Sequence, residues 1–401
     1  MPWGSLSSLR ELNRGRVIES LRELGVASRA ELARATGLSP ATVSTLVGEL
    51  VEAGIVVDAP ERTGRRSHGG RPPALIALDP SGGVALGIDF GKRHLAVAVA
   101  ALNHEILAER WREMREDYDA RTGMDGAAEL AAQALKHAGI APDRVVGVGL
   151  GLAGPIHRST GTIGSSAILP GWSDVQVAEE MGNRLALPVH VDNDANLGAL
   201  AEFHWGAGRD ASTLVYLKLA TGIGAGLVIG GRLFHGAGGT AGEIGHTTID
   251  EGGPICRCGN RGCLEMIAAA PAVVDLLRAT RSEDLTIERV VELAADGDPG
   301  CQRAISDAGR HTGQAVANLC NLFNPERIVV GGSMGAAGEI LLGPMREAVR
   351  RRVIPSAAED VEIVPGVLGD RAELLGAVAL VLNEKEHGVV ASRPLEEAAT
   401  Q

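Results

Sequence analysis

The sequence has few aromatic residues, no long apolar segment and only five cysteines. Phe, Trp and Tyr make up 2% of the chain although hydrophobic residues make up 45%, as in a soluble α/β protein rich in Ala, Val, Leu and Gly. No apolar run reaches the roughly twenty residues of a transmembrane helix, and the N-terminus lacks a signal-peptide pattern. We therefore expect a cytoplasmic protein with no membrane partner and with reduced cysteines.

The chain also lacks an overall positive charge, which would exclude nucleic acid if the charge were evenly spread. Its formal net charge is −12. Residues 1–75, however, contain ten arginines and eight acidic residues, so all of the excess acid lies in the remainder. Because 401 residues exceed one ordinary core, we predict two or three domains, with a nucleic-acid-binding module on an acidic body.

The basic front segment has the pattern of a helix-turn-helix. Ser28 and Glu31 form a capping-box pattern at the start of RAELARAT, which Gly37 ends. Ser39 then caps a second predicted helix, PATVSTLVGELVEAG, which has Pro40 at its first position. Two short helices joined by such a turn are typical of DNA-binding domains. The predicted base and phosphate contacts on the second helix are Ser39, Ala41, Thr42, Ser44 and Thr45.

Two β-rich runs, IVVDAP and ALIAL, flank the segment ERTGRRSHGGRPP and predict a hairpin wing. Its arginines suit contacts with phosphates or the minor groove. An ordinary helical pair would have the same helix spacing but no basic wing, so DNA binding is favoured. Since such regulators commonly bind as dimers, we expect a homodimer or homotetramer on an inverted repeat in double-stranded DNA. The predicted wing contacts are Arg62, Arg65, Arg66 and Arg71.

A cysteine-rich loop lies within GEIGHTTIDEGGPICRCGNRGCLE, residues 242–265. His246, Cys256, Cys258 and Cys263 follow the order H-x9-C-x-C-x4-C, and one imidazole with three thiolates is a ligand set of structural zinc. The alternative is a group of buried or disulfide-forming cysteines. Cysteines 256 and 258 can hardly pair with each other, and nothing in the sequence indicates secretion. We therefore predict a structural zinc ion at these four residues.

After a linker, DPSGG, strands and helices alternate in two successive rounds that predict two similar lobes with a cleft between them. Three glycine-rich turns follow predicted strands: IDFGK, ATGIGAG and VVGGSMG. Backbone amides in such turns can hold phosphates, although any one turn alone is weak evidence. The candidate nucleotide-binding residues are Asp89, Gly91, Thr221, Gly222, Gly224, Gly331 and Gly332.

The run VDNDAN, residues 191–196, places Asp192 and Asp194 at a predicted strand end. Carboxylates and amides suit the hydroxyl groups of a sugar, and an aspartate there can accept a proton from an attacking hydroxyl. An Asx turn that caps the next helix explains the same residues. From these residues alone, both interpretations stay open.

Together these motifs resemble the ROK family, whose members are repressors, open reading frames and sugar kinases on an actin-like, hexokinase-like fold. The resemblance spans residues 12–384 and rests mainly on GEIGH with CRCGNRGCLE, then on VDNDAN and ATGIGAG. It implies a catalytic base, Asp194, in members that are kinases, and a His246 that serves zinc and sugar through different ring nitrogens. The winged helix resembles that of the family's transcriptional regulators. The sugar contacts that the resemblance implies are Asn193, Asp194, Glu243, His246 and Glu265.

Two departures from the kinase pattern argue against phosphoryl transfer. Kinase members usually have D-x-G-G-T-K, whereas Lys92 and Arg93 replace the second glycine and the threonine here. Ile168 stands where kinase members often have a sugar-binding asparagine. We therefore predict a sugar-responsive transcriptional regulator, a repressor by resemblance. The alternatives are a hexose kinase that uses ATP and Mg²⁺, and a zinc-stabilised module that binds a partner protein.

The predicted fold class is α/β, with a winged helix-turn-helix followed by a two-lobed actin-like, ribonuclease H-like body. The predicted units are the DNA-binding domain (1–80), the first lobe (81–195), the second lobe (196–370) and a disordered tail (385–401). The zinc loop is expected at 246–263. The closing helix, 371–384, is expected to return to the first lobe.

Overall fold

The computed structural model describes residues 6–59, 74–79, 82–115, 118–154, 156, 162, 171–172, 175–278, 285–358 and 361–387. The wing arginines and Ile168 lie outside these residues, as does the predicted tail beyond residue 387. Within the described part of the chain, each helix is too short or too polar to span a lipid bilayer.

The front domain is a winged helix-turn-helix, as predicted. The capping box is confirmed: the Ser28 hydroxyl accepts from the Glu31 N–H, and the Glu31 carboxylate accepts from the Ser28 N–H. Ser39 caps the following helix by accepting from the N–H of Thr42 at 3.1 Å. The elements are α1 (Leu6–Leu24), β1 (Val26–Ser28), α2 (Arg29–Thr36), α3 (Pro40–Glu52), β2 (Val56–Ala59) and β3 (Leu75–Leu78).

The second helix of the motif, α3, has one buried and one exposed face. Its apolar residues Val43, Leu46, Val47 and Leu50 are buried at helical spacing. Strands β2 and β3 pair antiparallel in a sheet of order β1-β3-β2, so the predicted wing segment joins two hydrogen-bonded strands. This arrangement fixes α3 against the sheet and leaves its other face to solvent.

The body contains two five-stranded sheets. The first lobe comprises β4 (Val84–Phe90), β5 (His94–Ala101), β6 (Ile106–Glu113), α4 (Ala120–Ala138), β7 (Val145–Leu152), α5 (Val177–Leu185) and β8 (Val189–Asn193). Next come α6 (Asp194–His204), β9 (Thr213–Leu219), β10 (Ile223–Ile229), β11 (Arg232–Leu233), α7 (Glu265–Ala268), α8 (Ala270–Arg278), α9 (Ile287–Ala295) and α10 (Pro299–Phe323). The chain then forms β12 (Arg327–Gly331), α11 (Glu339–Arg350), α12 (Pro355–Ala358), β13 (Glu362–Pro365) and α13 (Ala372–His387).

The two sheets have the same topology. Their strand orders are β6-β5-β4-β7-β8 and β11-β10-β9-β12-β13, each with an antiparallel meander followed by two parallel strands. The central strands β4 and β7 are buried on both faces, which explains their nearly continuous apolar runs. The predicted duplication into two similar lobes is therefore confirmed.

Helices α6 and α13 join the lobes. Helix α13 packs on β4 and β7 of the first sheet, and α6 packs on β9 and β10 of the second. The two helices also contact each other closely at Gly376, where an added Cβ would lie 1.9 Å from the Leu197 carbonyl oxygen. Both helices begin at the cleft between the sheets.

Candidate functional site

A cavity of about 320 Å³ lies in this cleft. The five predicted sugar contacts line it, and so do all the candidate nucleotide-binding residues except Gly331. Gly331 instead lies against Tyr216, whose hydroxyl would be 2.2 Å from an added Cβ. The sequence motifs from both lobes therefore converge on one cavity.

Lys218 is the central cation of the cleft. Its ammonium lies 2.9 Å from an Asp194 carboxylate oxygen and 3.0 Å from a Glu373 carboxylate oxygen. Burial alone would lower the pKa of Lys218, but the nearby carboxylates outweigh burial and raise it well above its usual value. Lys218 is therefore charged and links β9 of the second lobe to the first residues of α6 and α13.

Asn193 caps helix α6. Its side-chain oxygen accepts from the Ala195 N–H at 2.8 Å, and its side-chain amide donates to the Gly154 carbonyl at 2.7 Å. The neighbouring Asp192 is buried and bonded to His235 and Asn196. Asn193 is thus the N-cap of α6, and Asp194, which also accepts from the Ala195 N–H at 2.9 Å, directs its other carboxylate oxygen to Lys218 in the cavity.

The second-lobe wall of the cavity carries Glu243, His246 and Glu265. Glu265 forms an ion pair with Arg257 at 2.8 Å and accepts from the Ile223 N–H at 3.2 Å, so its carboxylate is held in place. Burial raises the pKa of Glu243, and the carboxylates of Asp194 and Glu265 add to that shift. Polar groups of fixed orientation on an open wall suit a ligand that carries hydroxyl groups.

His94 covers the glycine-rich turn of the first lobe. Its Nε2 lies 2.7 Å from an Asp89 carboxylate oxygen, and its ring occupies the space beside Gly91, 2.1 Å from where a Cβ would lie. Burial alone would lower the pKa of His94, but the hydrogen bond to Asp89 and its charge raise it. Lys92 lines the cavity with an exposed side chain, and the ring of His94 covers Gly91.

The four predicted metal ligands form one cluster. His246 Nδ1 lies 3.5 Å from Cys256 Sγ, Cys258 Sγ lies 3.7 Å from Cys263 Sγ, and the four ligand atoms all lie within 4.8 Å of one another. A tetrahedron with zinc–sulfur bonds of about 2.3 Å has sulfur–sulfur edges of about 3.8 Å. These cysteines are free rather than disulfide-bonded. The residues therefore fit a tetrahedral metal ion.

The other ring nitrogen of His246 faces the cavity. His246 Nε2 lies 3.8 Å from a Glu243 carboxylate oxygen, on the opposite side of the ring from Cys256. A hydrogen bond from the backbone of Asn260 lowers the pKa of the Cys258 thiol. Burial raises the pKa of Cys263 to about 12, a shift that a coordinated metal ion would reverse, since coordination deprotonates a thiol.

The predicted DNA contacts on α3 share its outer face. Ala41, Ser44 and Thr45 are exposed, as is Ser39 at the N-cap, and the hydroxyls of Ser39 and Thr42 bond to each other at 2.8 Å. The Thr45 hydroxyl donates to the Ala41 carbonyl at 3.1 Å. This face is therefore made of small side chains that allow close approach to a groove.

Sequence reasoning missed Lys218, Glu373 and Arg257. Lys218 has a recognisable signal, since it is the lone charged residue in the strand TLVYLKL directly before a glycine-rich turn. Arg257 separates two metal-ligand cysteines, but nothing in its spacing points to Glu265. Glu373 looks like an ordinary acidic residue in the first turn of a helix.

Known families match both parts of the chain. Residues 10–57 match a winged helix-turn-helix DNA-binding family, and residues 85–384 match the ROK family. The chain belongs to the ROK family. Its relatives include a xylose repressor of Caldicellulosiruptor bescii, which is 32% identical over 394 residues covering 95% of this chain and 98% of the repressor.

Solved structures similar to this chain include a ROK regulator and a ROK kinase. A ROK family transcriptional regulator, a homologue of the E. coli MLC protein, is 27% identical with a TM-score of 0.77 over 94% of this chain and 98% of its own. A ROK family glucokinase from Streptomyces griseus, in complex with glucose and AMPPNP, is 29% identical with a TM-score of 0.66. The match includes 99% of that kinase but only 74% of this chain.

Proposed function

We propose that this ROK protein is a sugar-responsive transcriptional repressor. The observation that carries the proposal is the union of a winged helix-turn-helix with a ROK body whose Asp194 is ion-paired to Lys218. The similarity to a xylose repressor over nearly the whole chain supports it, because that relative covers both parts. In this proposal the winged helix binds operator DNA and the cleft binds the sugar that changes this binding.

The sugar would contact Asp194, Glu243, His246 and Glu265, which converge on the cavity from both lobes. Asn193 would act mainly by capping α6 and so orienting Asp194. Arg257 already neutralises the charge of Glu265. The Glu265 carboxylate can therefore accept hydrogen bonds from sugar hydroxyl groups and still keep its ion pair.

A structural zinc ion would be held by His246, Cys256, Cys258 and Cys263. When bound, it would supply fixed coordination geometry rather than reactivity, because the four protein ligands complete a tetrahedron. With Nδ1 of His246 directed at the metal side, Nε2 stays available to a sugar hydroxyl near Glu243. The metal would thus orient one wall of the sugar site.

The cleft does not support phosphoryl transfer well. A base that takes a proton from a sugar hydroxyl would have to give up its ion pair with Lys218. On the first lobe, Asp89 is bonded to His94, whose ring also covers Gly91. The second turn, Thr221 to Gly224, still borders open cavity, which supports residual nucleotide binding as a second activity.

DNA binding would use the outer face of α3 together with the predicted wing arginines, which lie outside the described residues. Two copies of α3 on successive major-groove faces would be about 10.5 bp apart or a multiple of that, so the proposal includes a homodimer or homotetramer on an inverted repeat. Ser44 lies on the exposed face of α3. A glutamate there would repel phosphates.

The test is fluorescence anisotropy with a labelled duplex from the region upstream of the protein's own gene. We expect D-xylose, D-glucose or N-acetyl-D-glucosamine to weaken binding, and Ser44→Glu to abolish it while sugar binding, measured by calorimetry, stays unchanged. An ADP-release assay with the same sugars should show no turnover. Turnover on the order of 1–100 per second, the ordinary range of kinases, without specific DNA binding would contradict the proposal in favour of a hexose kinase.

A further inference from the structure

We propose that α6 and α13 act as one connecting unit that carries the state of the sugar cleft to α1 of the DNA-binding domain. This inference rests on the proposed function, because it names the route by which a sugar would alter DNA binding. Both helices begin in the cleft and end beside α1. Three sets of contacts, at the cleft, between the helices and at α1, define the route.

At the cleft, one cation holds the starts of both helices. Asp194 is the first residue of α6 and Glu373 the second of α13, and Lys218 bonds to each. A sugar that hydrogen-bonds to Asp194 competes for the carboxylate that Lys218 holds. Binding therefore changes the balance of contacts at the starts of both helices, and not of α6 alone.

Between the cleft and α1, the two helices are in direct backbone contact. Gly376 of α13 lies so close to α6 that an added Cβ would be 1.9 Å from the Leu197 carbonyl oxygen. Leu197 and Leu200 of α6 pack with Ala377 and Ala379 of α13 in one buried cluster. Since close-packed interiors deform little, a shift of one helix is passed to the other.

At its C-terminal end, α6 contacts His104, which also bonds to the DNA-binding domain. His204 and Trp205, at the end of α6, contact the ring of His104, edge-to-face and tilted respectively, with ring centroids 5.1 and 5.0 Å apart. Arg22 of α1 donates to His104 Nε2 at 2.9 Å, so this contact joins the two domains. His104 is buried in the turn between β5 and β6, where its backbone has a positive φ of 69°.

Helix α13 reaches the same place. It packs against α1, and its residue Asn383 borders a second cavity of about 240 Å³ together with Arg16 and Glu19 of α1. Because the contact between α1 and the body is interrupted by this cavity, α1 has space to change position without overlapping the body. The 11 residues of α6 span about 16 Å at 1.5 Å per residue.

The experiment measures coupling rather than binding alone. Operator affinity of the full-length protein is measured without sugar and with saturating D-xylose, or with whichever of the other two sugars binds in its place, and the ratio of the two affinities is the readout. Typical allosteric ratios are about 5–150-fold. In Arg22→Gln and His104→Asn we expect this ratio to fall to within about two-fold of one, while calorimetric sugar affinity and sugar-free operator affinity stay near wild type.

The variants have matched controls. Asparagine tolerates the positive φ at position 104, so His104→Asn removes the ring contact and keeps the turn. His137→Asn and Arg121→Gln make the same changes at exposed positions of α4. The controls should keep the full ratio, and the double variant Arg22→Gln with His104→Asn should lose no more coupling than either single variant.

Two failures are distinguishable. If wild type responds to sugar and both single variants keep the wild-type ratio, the route is wrong and the proposed function stands. If wild type binds a sugar and its operator affinity does not change with any of them, both the route and the proposed sugar response are wrong.

Discussion

The two lobes share one strand order but differ in what lies at the end of the first strand. Asp89 is the penultimate residue of β4, and Lys218 is the penultimate residue of β9, so equivalent positions carry opposite charges. After β4 the turn is covered by His94. After β9 the turn stays open to the cavity and leads, through β10 and β11, to the metal cluster.

Under the proposed function, this difference would adapt a duplicated fold to bind a sugar without transferring phosphate. The first lobe offers carboxylates and a covered turn, while the second lobe supplies a lysine inside the cleft. The lysine occupies the space between Asp194 and Glu373, where a kinase would benefit from a free base. An ionic contact therefore joins the two lobes at the cleft.

The largest effect should come from disrupting the metal cluster, which among the described residues belongs to the second lobe. Cys256→Ser removes one of four predicted zinc ligands, and we expect metal affinity to fall by more than about 100-fold, the upper range for loss of an outer contact alone. Without the metal, His246 loses its fixed orientation and sugar binding should be lost. Metal analysis and calorimetry measure both effects.

The control for this variant is Cys320→Ala, a buried cysteine of α10 outside the metal cluster. It should keep its zinc and its sugar affinity. Operator binding of Cys256→Ser without sugar should persist, because the front domain has its own core. A wild-type protein that purifies without zinc, or a Cys256→Ser protein that retains it, would show that the cluster is not a zinc site.

The next largest effect concerns the cation that joins the lobes. Lys218→Met leaves Asp194 and Glu373 close together without their partner. Breaking a fully buried ion pair costs about 3–5 kcal/mol. Because the Lys218 and Asp194 side chains are 22% and 19% exposed, we expect a loss at or below the lower end of that range. Chemical denaturation measures the free energy of unfolding. Lys136→Met, at an exposed position of α4, should change it by less than about 0.5 kcal/mol. Equal stability of the two variants would refute the proposed ionic link.

Local patterns in the sequence were enough to predict most of the fold. The capping box at Ser28, the helix start at Ser39 and the repeated strand–helix rounds depend on neighbouring residues, and the structure agrees with each. The metal cluster was likewise predictable because its ligands lie within eighteen positions. Helix ends were less accurate: the closing helix was predicted at 371–384, whereas α13 extends to His387.

Contacts between distant segments were not predictable. Lys218 meets Glu373 only because α13 returns to the cleft, and His104 meets Arg22 only because the front domain docks on the body. A pairwise ion contact leaves no periodic signal in either segment. Whether the residues of VDNDAN cap a helix or face the cavity also depended on tertiary contacts. Asn193 and Asp194 differ in role because their partners, Gly154 and Lys218, lie in distant segments.

The smallest expected effect tests the covered turn of the first lobe. The pKa of His94 is raised above its usual 6.5 by Asp89, so the charged pair adds stability below about pH 6.5 that is lost as pH rises through the raised pKa. The free energy of unfolding of His94→Gln should therefore fall further below that of wild type at pH 5.5 than at pH 8.5. The ring is 38% exposed, so solvent screens the pair and the change should be small. His137→Gln, at an exposed site, supplies the baseline for denaturation curves across this range. A difference that does not vary with pH would mean that His94 covers Gly91 by packing alone, without the charged bond to Asp89.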